Sequence, residues 1–280
     1  MIFGSQRSPE QSLRILDRAY DLGIRSVDTA FGYPAPMQPD TYGITNEVLA
    51  LWGDKTKVKI QTKVLGSLET RASVIADTEH QLKAIGVEQF DICLLHWPGT
   101  REGLDQAELR AEHIRGFETL MRDGAIRDWG LSNCPFEDWE DYVALAEHLG
   151  VKPPRWAQNR LNPICDDTGL NQAPVPCQAY GIFHYGWLAG RYESGFADED
   201  SRISWVENDW RWGGKKLALD TLDLDYPIAR KWVADARASG FVPAVRALSW
   251  VLEKPYVLQA VIGVSKPEQL DDFVPQILAG

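Results

Sequence analysis

Short apolar runs alternate along the chain with longer segments in which apolar residues recur at helical spacing. The predicted strands cover residues 24–28, 58–63, 90–96, 125–132, 156–160, 177–181 and 257–262. The predicted helices cover residues 8–22, 47–52, 68–85, 109–122 and 139–149. Strands that are apolar on both faces and alternate with helices are typical of a buried parallel sheet, so the pattern predicts an α/β fold.

The first predicted helix has clear signals at both ends. Ser8 is placed to cap the helix, Pro9 takes the first helical position, and Gln11 completes a capping box. Gly23 ends the helix, since glycine is common just beyond a helix C-terminus. These signals predict a helix from Ser8 to Leu22.

The length of the chain favours an eight-stranded parallel (β/α)8 TIM barrel. The chain has 280 residues, close to the roughly 250 that are typical of this fold. Seven strands are well marked, and only residues 1–4 are left for a strand before the first helix, so we expect that strand to be truncated or to begin upstream of Met1. No linker divides residues 1–280, which predicts a single barrel domain. Its longest irregular segment, residues 191–222, predicts a functional loop.

Composition excludes several partners. Lys and Arg total 29 against 40 Asp and Glu, a net charge of -11, which disfavours binding to nucleic acid or to an anionic membrane. The apolar runs are far shorter than the roughly 20 residues that span a bilayer, and residues 1–5 do not resemble a secretory signal. The four cysteines form no CxxC pair, which is typical of reduced thiols. We therefore expect a cytoplasmic protein without membrane or nucleic-acid partners.

Polar residues with chemical potential lie at the ends of three predicted strands. Asp28, Lys63 and His96 end these strands, and Tyr33 lies in the loop five positions after Asp28. In a closed β/α barrel the active site lies at the carboxyl ends of the strands, so these side chains are expected to meet. Each residue alone is a common capping or packing residue, and only the set of four predicts chemistry.

The set suits the protonation of a carbonyl oxygen while hydride arrives at the carbonyl carbon. Tyrosine, with a pKa of about 10, is a poor proton donor and acceptor near neutrality unless a cation lies beside it. Lys63 supplies that cation, and Asp28 offers the counter-charge that a buried lysine needs. His96 can donate a hydrogen bond that positions the carbonyl oxygen against the Tyr33 hydroxyl.

A metal-dependent barrel hydrolase or sugar isomerase, with Asp28 and His96 as ligands, is the alternative from a different class. The chain has five histidines and no HxH pair, and Lys63 stands where a metal site needs a neutral or anionic ligand. We therefore expect no metal.

Several ordered segments resemble the aldo-keto reductase family. DTAFGY at residues 28–33, QTK at 61–63 and LHWP at 95–98 are similar to the Asp, Tyr, Lys and His tetrad of that family, in its order and spacing. Similar segments recur at residues 124–133, 158–163, 180–192 and 263–270, so the resemblance covers nearly the whole chain. It implies an NAD(P)-dependent oxidoreductase that transfers hydride between nicotinamide and the carbonyl of an aldehyde, ketone or sugar, with Tyr33 as general acid and base.

The resemblance also implies the cofactor-binding residues. Ser132, Asn133 and Gln158 would hold the nicotinamide carboxamide, and Tyr180 would stack on the nicotinamide ring. A phosphate-binding loop that opens the last helix would contain Gly263, Ser265, Lys266 and Gln269. Lys266 is a candidate partner for the 2′-phosphate, which favours NADP(H) over NAD(H).

The resemblance leaves the substrate and one alternative function open. Trp97 is expected to line a pocket with aromatic walls, which suits small carbonyl or alcohol substrates of several kinds. The potassium-channel β subunits share this fold, so a cofactor-binding regulatory protein without catalysis is the alternative to an enzyme. The intact tetrad favours the enzyme, because a binding module has no need of Tyr33 together with Lys63. The sequence does not set the oligomeric state.

Overall fold

The computed structural model describes residues 2–34, 39–65, 70–98, 102–166, 175–191 and 215–279. The strands are β1 Ser26–Asp28, β2 Lys59–Val64, β3 Phe90–Leu95, β4 Ile126–Ser132, β5 Trp156–Asn162, β6 Cys165–Asp166, β7 Cys177–Tyr180 and β8 Val257–Ala260. The α-helices of the described residues are α1 Pro9–Asp21, α2 Ile44–Leu51, α3 Arg71–Ile85, α4 Gln106–Arg122, α5 Phe136–His148, α6 Lys215–Ala238, α7 Pro243–Leu252 and α8 Glu268–Leu278.

The seven predicted strands form one curled parallel sheet in the order β1-β2-β3-β4-β5-β7-β8, and helices connect most of them. This arrangement confirms the predicted (β/α)8 barrel class. The short β6 was not predicted and pairs antiparallel with β5. The described residues before α1 contain no strand of this sheet, only an isolated bridge between Phe3 and Arg7, and β1 and β8 stand at the two ends of the order.

The capping signals of the first helix are confirmed. The Ser8 hydroxyl accepts from the Gln11 backbone N–H, and the Gln11 side chain accepts from the Ser8 backbone N–H. Helix α2 begins three residues earlier than predicted, directly after Gly43. Gly43 has a φ of 84°, in the left-handed region that favours glycine, and it turns the chain into the helix.

The prediction of one irregular segment over residues 191–222 is wrong at its C-terminal end. Residues 192–214 lie outside the described residues, whereas residues 215–222 form the first turns of α6. The segment KKLALDTL at 215–222 consists largely of strong helix formers, which the Asp-, Gly- and Trp-rich composition before it obscured. Helix α7 was not predicted either.

Close packing joins β4 to its neighbours. The rings of Trp129 on β4 and Phe117 on α4 stack with centroids 4.8 Å apart, and both are fully buried. Gly130 leaves no room for a side chain, because a Cβ atom there would lie 1.9 Å from the backbone oxygen of Trp156. Glycine at residue 130 thus permits the close approach of β4 and β5.

Among the described residues, no helix is both long and apolar enough to cross a membrane.

Candidate active site

The carboxyl ends of the first three strands bring the four tetrad residues together. Asp28 is the last residue of β1, Lys63 is the penultimate residue of β2, and His96 directly follows β3. Tyr33 lies in the turn after β1, where its backbone N–H donates to the Ala30 carbonyl at 3.1 Å. Strand geometry therefore sets three of the four positions, and a short turn sets the fourth.

Lys63 lies at the centre of the set. Its Nζ atom is 2.7 Å from both carboxylate oxygens of Asp28, 3.0 Å from the Thr29 carbonyl oxygen and 3.4 Å from the Tyr33 hydroxyl. Lys63 is 1% exposed and Tyr33 is 6% exposed. A buried ammonium group thus bridges a carboxylate and a phenol.

The electrostatics of the pair follow from this geometry. Burial disfavours the charged ammonium of Lys63, but the charges of Asp28 and Tyr33 and their hydrogen bonds outweigh burial, so the pKa of Lys63 lies above its ordinary value. Lys63 is therefore a cation throughout the neutral range. It lies beside the Tyr33 hydroxyl, as the sequence predicted.

Aromatic rings surround the imidazole of His96. The Trp97 ring stacks on the His96 ring with centroids 3.7 Å apart, and the Tyr33 ring meets His96 edge-on at 5.8 Å. Tyr42 and Trp97 pack against the buried pair of Ala30 and Tyr33. The structure thus places Trp97 next to the side chains of both His96 and Tyr33.

A second buried network holds Lys63 from the helical side of the sheet. The Gln81 side chain on α3 donates to the Lys63 carbonyl oxygen at 3.2 Å and accepts from the Thr62 hydroxyl and from the Asn46 amide. Asn46 on α2 in turn accepts from the Thr29 hydroxyl at 2.7 Å. All four of these polar side chains are buried. The network ties β1 and β2 to the two helices that cover them.

Three of the predicted carboxamide-binding and stacking residues converge at the carboxyl ends of β4 and β7. The Ser132 hydroxyl donates to the Gln158 carbonyl oxygen at 2.9 Å, and the Asn133 side chain donates to the His96 carbonyl oxygen at 2.8 Å. The Tyr180 hydroxyl donates to the Asn133 side-chain oxygen. Asn133 has a φ of 56°, a left-handed conformation that asparagine tolerates. Ser132, Asn133 and Tyr180 therefore form one group beside His96.

The structure places Gln158 differently from the other predicted carboxamide ligands. Its side-chain nitrogen donates to Asp28 at 2.9 Å and to the Gln178 side chain at 3.1 Å, so both of its N–H groups point into the barrel. The polar set inside the barrel also includes Gln61 and Gln259, which sequence analysis missed together with Gln178. The only signal was a glutamine inside each of three apolar strands.

The predicted phosphate loop at the start of α8 is capped by its own residue. The Gln269 side-chain oxygen accepts from the Ser265 backbone N–H at 2.7 Å and from the Lys266 backbone N–H at 3.1 Å. Two arginines that sequence analysis did not single out reach the same residue: Arg7 donates to the Ser265 carbonyl oxygen at 2.7 Å, and Arg191 donates to its hydroxyl at 3.4 Å. Gly263 and Lys266 are exposed. Cations gather at this helix start, as a phosphate group requires.

The same geometry weighs against the metal-site alternative. Both oxygens of Asp28 are bonded to the Lys63 ammonium. Among the described ranges, no three His, Cys, Asp or Glu side chains lie close enough together to hold a metal ion. Asp28, one of the two ligands that the alternative needs, is therefore engaged by an ammonium group.

Comparisons with known proteins find relatives that align with nearly the whole chain. The model of the Aldo/keto reductase family matches residues 1–277. A putative voltage-gated potassium channel subunit beta of Schizosaccharomyces pombe is 27% identical, with 96% of this chain and 79% of that protein aligned. L-glyceraldehyde 3-phosphate reductase of Escherichia coli K12 is also 27% identical, with 97% of this chain and 80% of that protein aligned.

A solved structure shares the fold. The crystal structure of an aldo-keto reductase from Klebsiella pneumoniae in complex with NADPH aligns with a TM-score of 0.66 at 21% identity. The alignment covers 95% of this chain and 79% of the Klebsiella chain. Together with the family match over residues 1–277, it leads to one conclusion: the chain belongs to the aldo/keto reductase family.

Proposed function

We propose that the protein is an NADP(H)-dependent oxidoreductase that interconverts the carbonyl of an aldehyde, ketone or sugar with the corresponding alcohol. The observation that carries the proposal is the buried Lys63 ammonium group between the Asp28 carboxylate and the Tyr33 hydroxyl. The name of the E. coli reductase and the NADPH in the Klebsiella structure support the same chemistry.

Tyr33 is the proton donor for reduction and the proton acceptor for oxidation. The Lys63 ammonium group, 3.4 Å from the Tyr33 hydroxyl, stabilises the phenolate that remains after the proton leaves. Asp28 keeps that ammonium charged in a site with little access to water. The protein thus moves a proton at one defined oxygen atom.

His96 orients the substrate oxygen. Its ring is buried next to the Tyr33 ring and fixed in plane by the stacked Trp97. An imidazole N–H at this position donates to the carbonyl oxygen and holds it against the Tyr33 hydroxyl. Trp97 also contributes the aromatic wall of the substrate pocket.

The residues around the site fit a nicotinamide cofactor. Ser132 and Asn133 offer the hydroxyl and amide groups that bind a carboxamide, and Tyr180 offers an aromatic face for the ring. When bound, the nicotinamide supplies or accepts the hydride. Lys266 at the start of α8, and Arg191, whose side chain reaches the same loop, would bind the phosphates of the cofactor. Gln269 would then release the backbone N–H groups that it caps.

Turnover of the Tyr33→Phe variant tests the proposal. The experiment mixes purified protein with NADPH and a panel of aldehydes, ketones and sugars, and follows the loss of NADPH absorbance. The variant keeps the aromatic ring, so we expect NADPH binding and folding to be unchanged while kcat falls about a hundred-fold or more, the size of a general-acid contribution. Tyr42→Phe, a hydroxyl deletion in the neighbouring ring, is the matched control. A Tyr33→Phe variant with near-normal kcat would show that the proton comes from another group.

The potassium-channel relative supports a second candidate function, a cofactor-binding protein that does not turn over substrate. Wild-type protein that binds NADPH tightly and reduces none of the carbonyl compounds in the panel would favour this second function.

A further inference from the structure

A closed circuit of side-chain hydrogen bonds lies inside the barrel next to Asp28. Gln61 donates to Asp28 Oδ1 at 2.6 Å, and Gln178 donates to the Gln61 oxygen at 2.7 Å. Gln158 donates to the Gln178 oxygen at 3.1 Å and to Asp28 Oδ1 at 2.9 Å, which closes the circuit. Gln259 lies outside the circuit and accepts from Gln178 at 2.6 Å. We call Asp28, Gln61, Gln158 and Gln178 the amide ring.

The amide ring fixes the orientation of each of its amides. Gln178 donates to two glutamine oxygens and accepts from Gln158, so exchanging its nitrogen and oxygen atoms would place oxygen against oxygen. Gln61, Gln158 and Gln178 are each at most 3% exposed. A buried amide that loses its hydrogen-bond partner is destabilised, so a substitution at one member of the amide ring also affects the other members.

The fixed end of the amide ring is the carboxylate that holds Lys63. Asp28 Oδ1 accepts from Gln61, Gln158 and Lys63, while Oδ2 accepts from Lys63. The two amide donors reach Oδ1 from β2 and β5, on two sides of the barrel. They therefore hold the carboxylate in the rotation at which both of its oxygens face the ammonium group.

We propose that Gln61 and Gln178 are positioning residues for proton transfer, because they hold Asp28 in the orientation that keeps the Lys63 ammonium group next to the Tyr33 hydroxyl. The proposal rests on the function proposed above. Gln61 acts on Asp28 directly, and Gln178 acts through the side chains of Gln61 and Gln158. Apolar side chains at these two strand positions would fill the barrel interior without the desolvation of buried amides, but they could not orient a carboxylate.

The test measures the ionisation of Tyr33 directly, by NMR of protein labelled at tyrosine Cζ. The Tyr33→Phe variant identifies the Tyr33 signal by its absence. Gln61→Met and Gln178→Met replace the amides with apolar side chains of similar length. Gln259→Met is the matched control, because Gln259 lies in the same interior but outside the amide ring.

Without the ring, the carboxylate rotates and the ammonium group follows it away from the phenol. We therefore expect the titration midpoint of Tyr33 to rise by about 0.5–1 pH unit in Gln61→Met, to rise by a smaller amount in Gln178→Met, and to stay within about 0.2 pH unit of wild type in Gln259→Met. A midpoint that is unchanged or lower in Gln61→Met and Gln178→Met overturns the proposal, as does an equal rise in Gln259→Met. If Gln61→Met does not fold, Gln178→Met decides, because it leaves both direct donors to Asp28 in place.

Turnover separates this proposal from the proposed function. Loss of NADPH absorbance is followed with the wild type and the same variants across pH. Wild-type protein that reduces no carbonyl compound while the Tyr33 midpoint shifts in the ring variants would overturn the proposed function. It would leave standing only the positional part of the ring proposal, that the amide ring holds Asp28 and thereby keeps Lys63 next to Tyr33. Wild-type protein that reduces a carbonyl compound, together with a Tyr33 midpoint that is the same in all variants, would support the proposed function and overturn the ring proposal.

Discussion

The ion pair of Lys63 and Asp28 should be one of the largest single contributions of a charge to the stability of this protein. Removing one partner of a buried pair destabilises by about 3–5 kcal/mol. In Lys63→Met, the Asp28 carboxylate is 13% exposed and keeps the amide donors Gln61 and Gln158. We therefore expect the free energy of unfolding to fall by about 3 kcal/mol, the lower end of that range. In Asp28→Asn, an ammonium group that is 1% exposed loses the carboxylate that lies 2.7 Å away, and we expect the free energy of unfolding to fall by about 5 kcal/mol.

A double-mutant cycle isolates the pair. Asp28→Asn with Lys63→Met removes both charges, so we expect it to lose at least about 2 kcal/mol less than the sum of the two single variants. Urea unfolding followed by circular dichroism measures each free energy of unfolding. Lys63→Met alone should also lower Tm by about 6–12 °C. Lys59→Met, at an exposed lysine on the same strand, is the control and should change stability by less than about 0.5 kcal/mol. Losses that simply add, or a Lys63→Met loss no larger than that of Lys59→Met, would refute the argument.

Three further expectations can be measured independently. Gly130→Ala should destabilise by about 3 kcal/mol or more in urea unfolding, because its Cβ atom would meet a backbone oxygen on β5, while Gly53→Ala, in open space, should be near neutral. Burial raises the pKa of Asp77 to about 7, so the folded state favours the protonated carboxyl and loses stability as pH rises from about 4 to 7. The free energy of unfolding of Asp77→Asn should therefore exceed that of wild type by a larger margin at pH 8 than at pH 5, with a margin on the order of 2–4 kcal/mol at pH 8. Lys266→Glu should weaken NADPH binding at least ten-fold more than NADH binding in a fluorescence titration, since only NADPH carries the 2′-phosphate. An equal loss of affinity for both cofactors would show that Lys266 does not bind the 2′-phosphate.

The predictable part of the fold lies in its local patterns. A buried parallel strand needs apolar residues on both faces, so the runs at 90–96 and 125–132 are visible without any tertiary information. The two-residue strand β6 has no such pattern, because it forms only by pairing with β5. Helix α6 was obscured by the composition of the segment before it, since helix propensity is a weak signal when no cap marks the start.

The residues of the candidate site also differ in whether a local sequence pattern indicates them. Asp28, Lys63 and His96 could be predicted to meet because strand ends meet in a barrel, and that requires only their positions along the chain. The contact of Arg7 with Ser265 joins residues 258 positions apart, and no local pattern indicates it. The amide ring was equally difficult to predict, because the role of a glutamine in an apolar strand becomes visible only when the curled sheet brings its side chain against a carboxylate.

The network of Thr29, Asn46, Gln81 and Thr62 has a consequence for how the molecule opens. Its hydrogen bonds run from β2 and from the residue after β1 to α2 and α3, and they also join the two helices to each other. The helices therefore do not separate from the sheet without breaking these buried bonds. We expect β1, β2, α2 and α3 to exchange their slowest amide protons at one common rate, as a single cooperative unit of unfolding. The residues of that unit include the carboxylate and the ammonium group of the site. Transient local opening elsewhere in the barrel should thus leave them assembled.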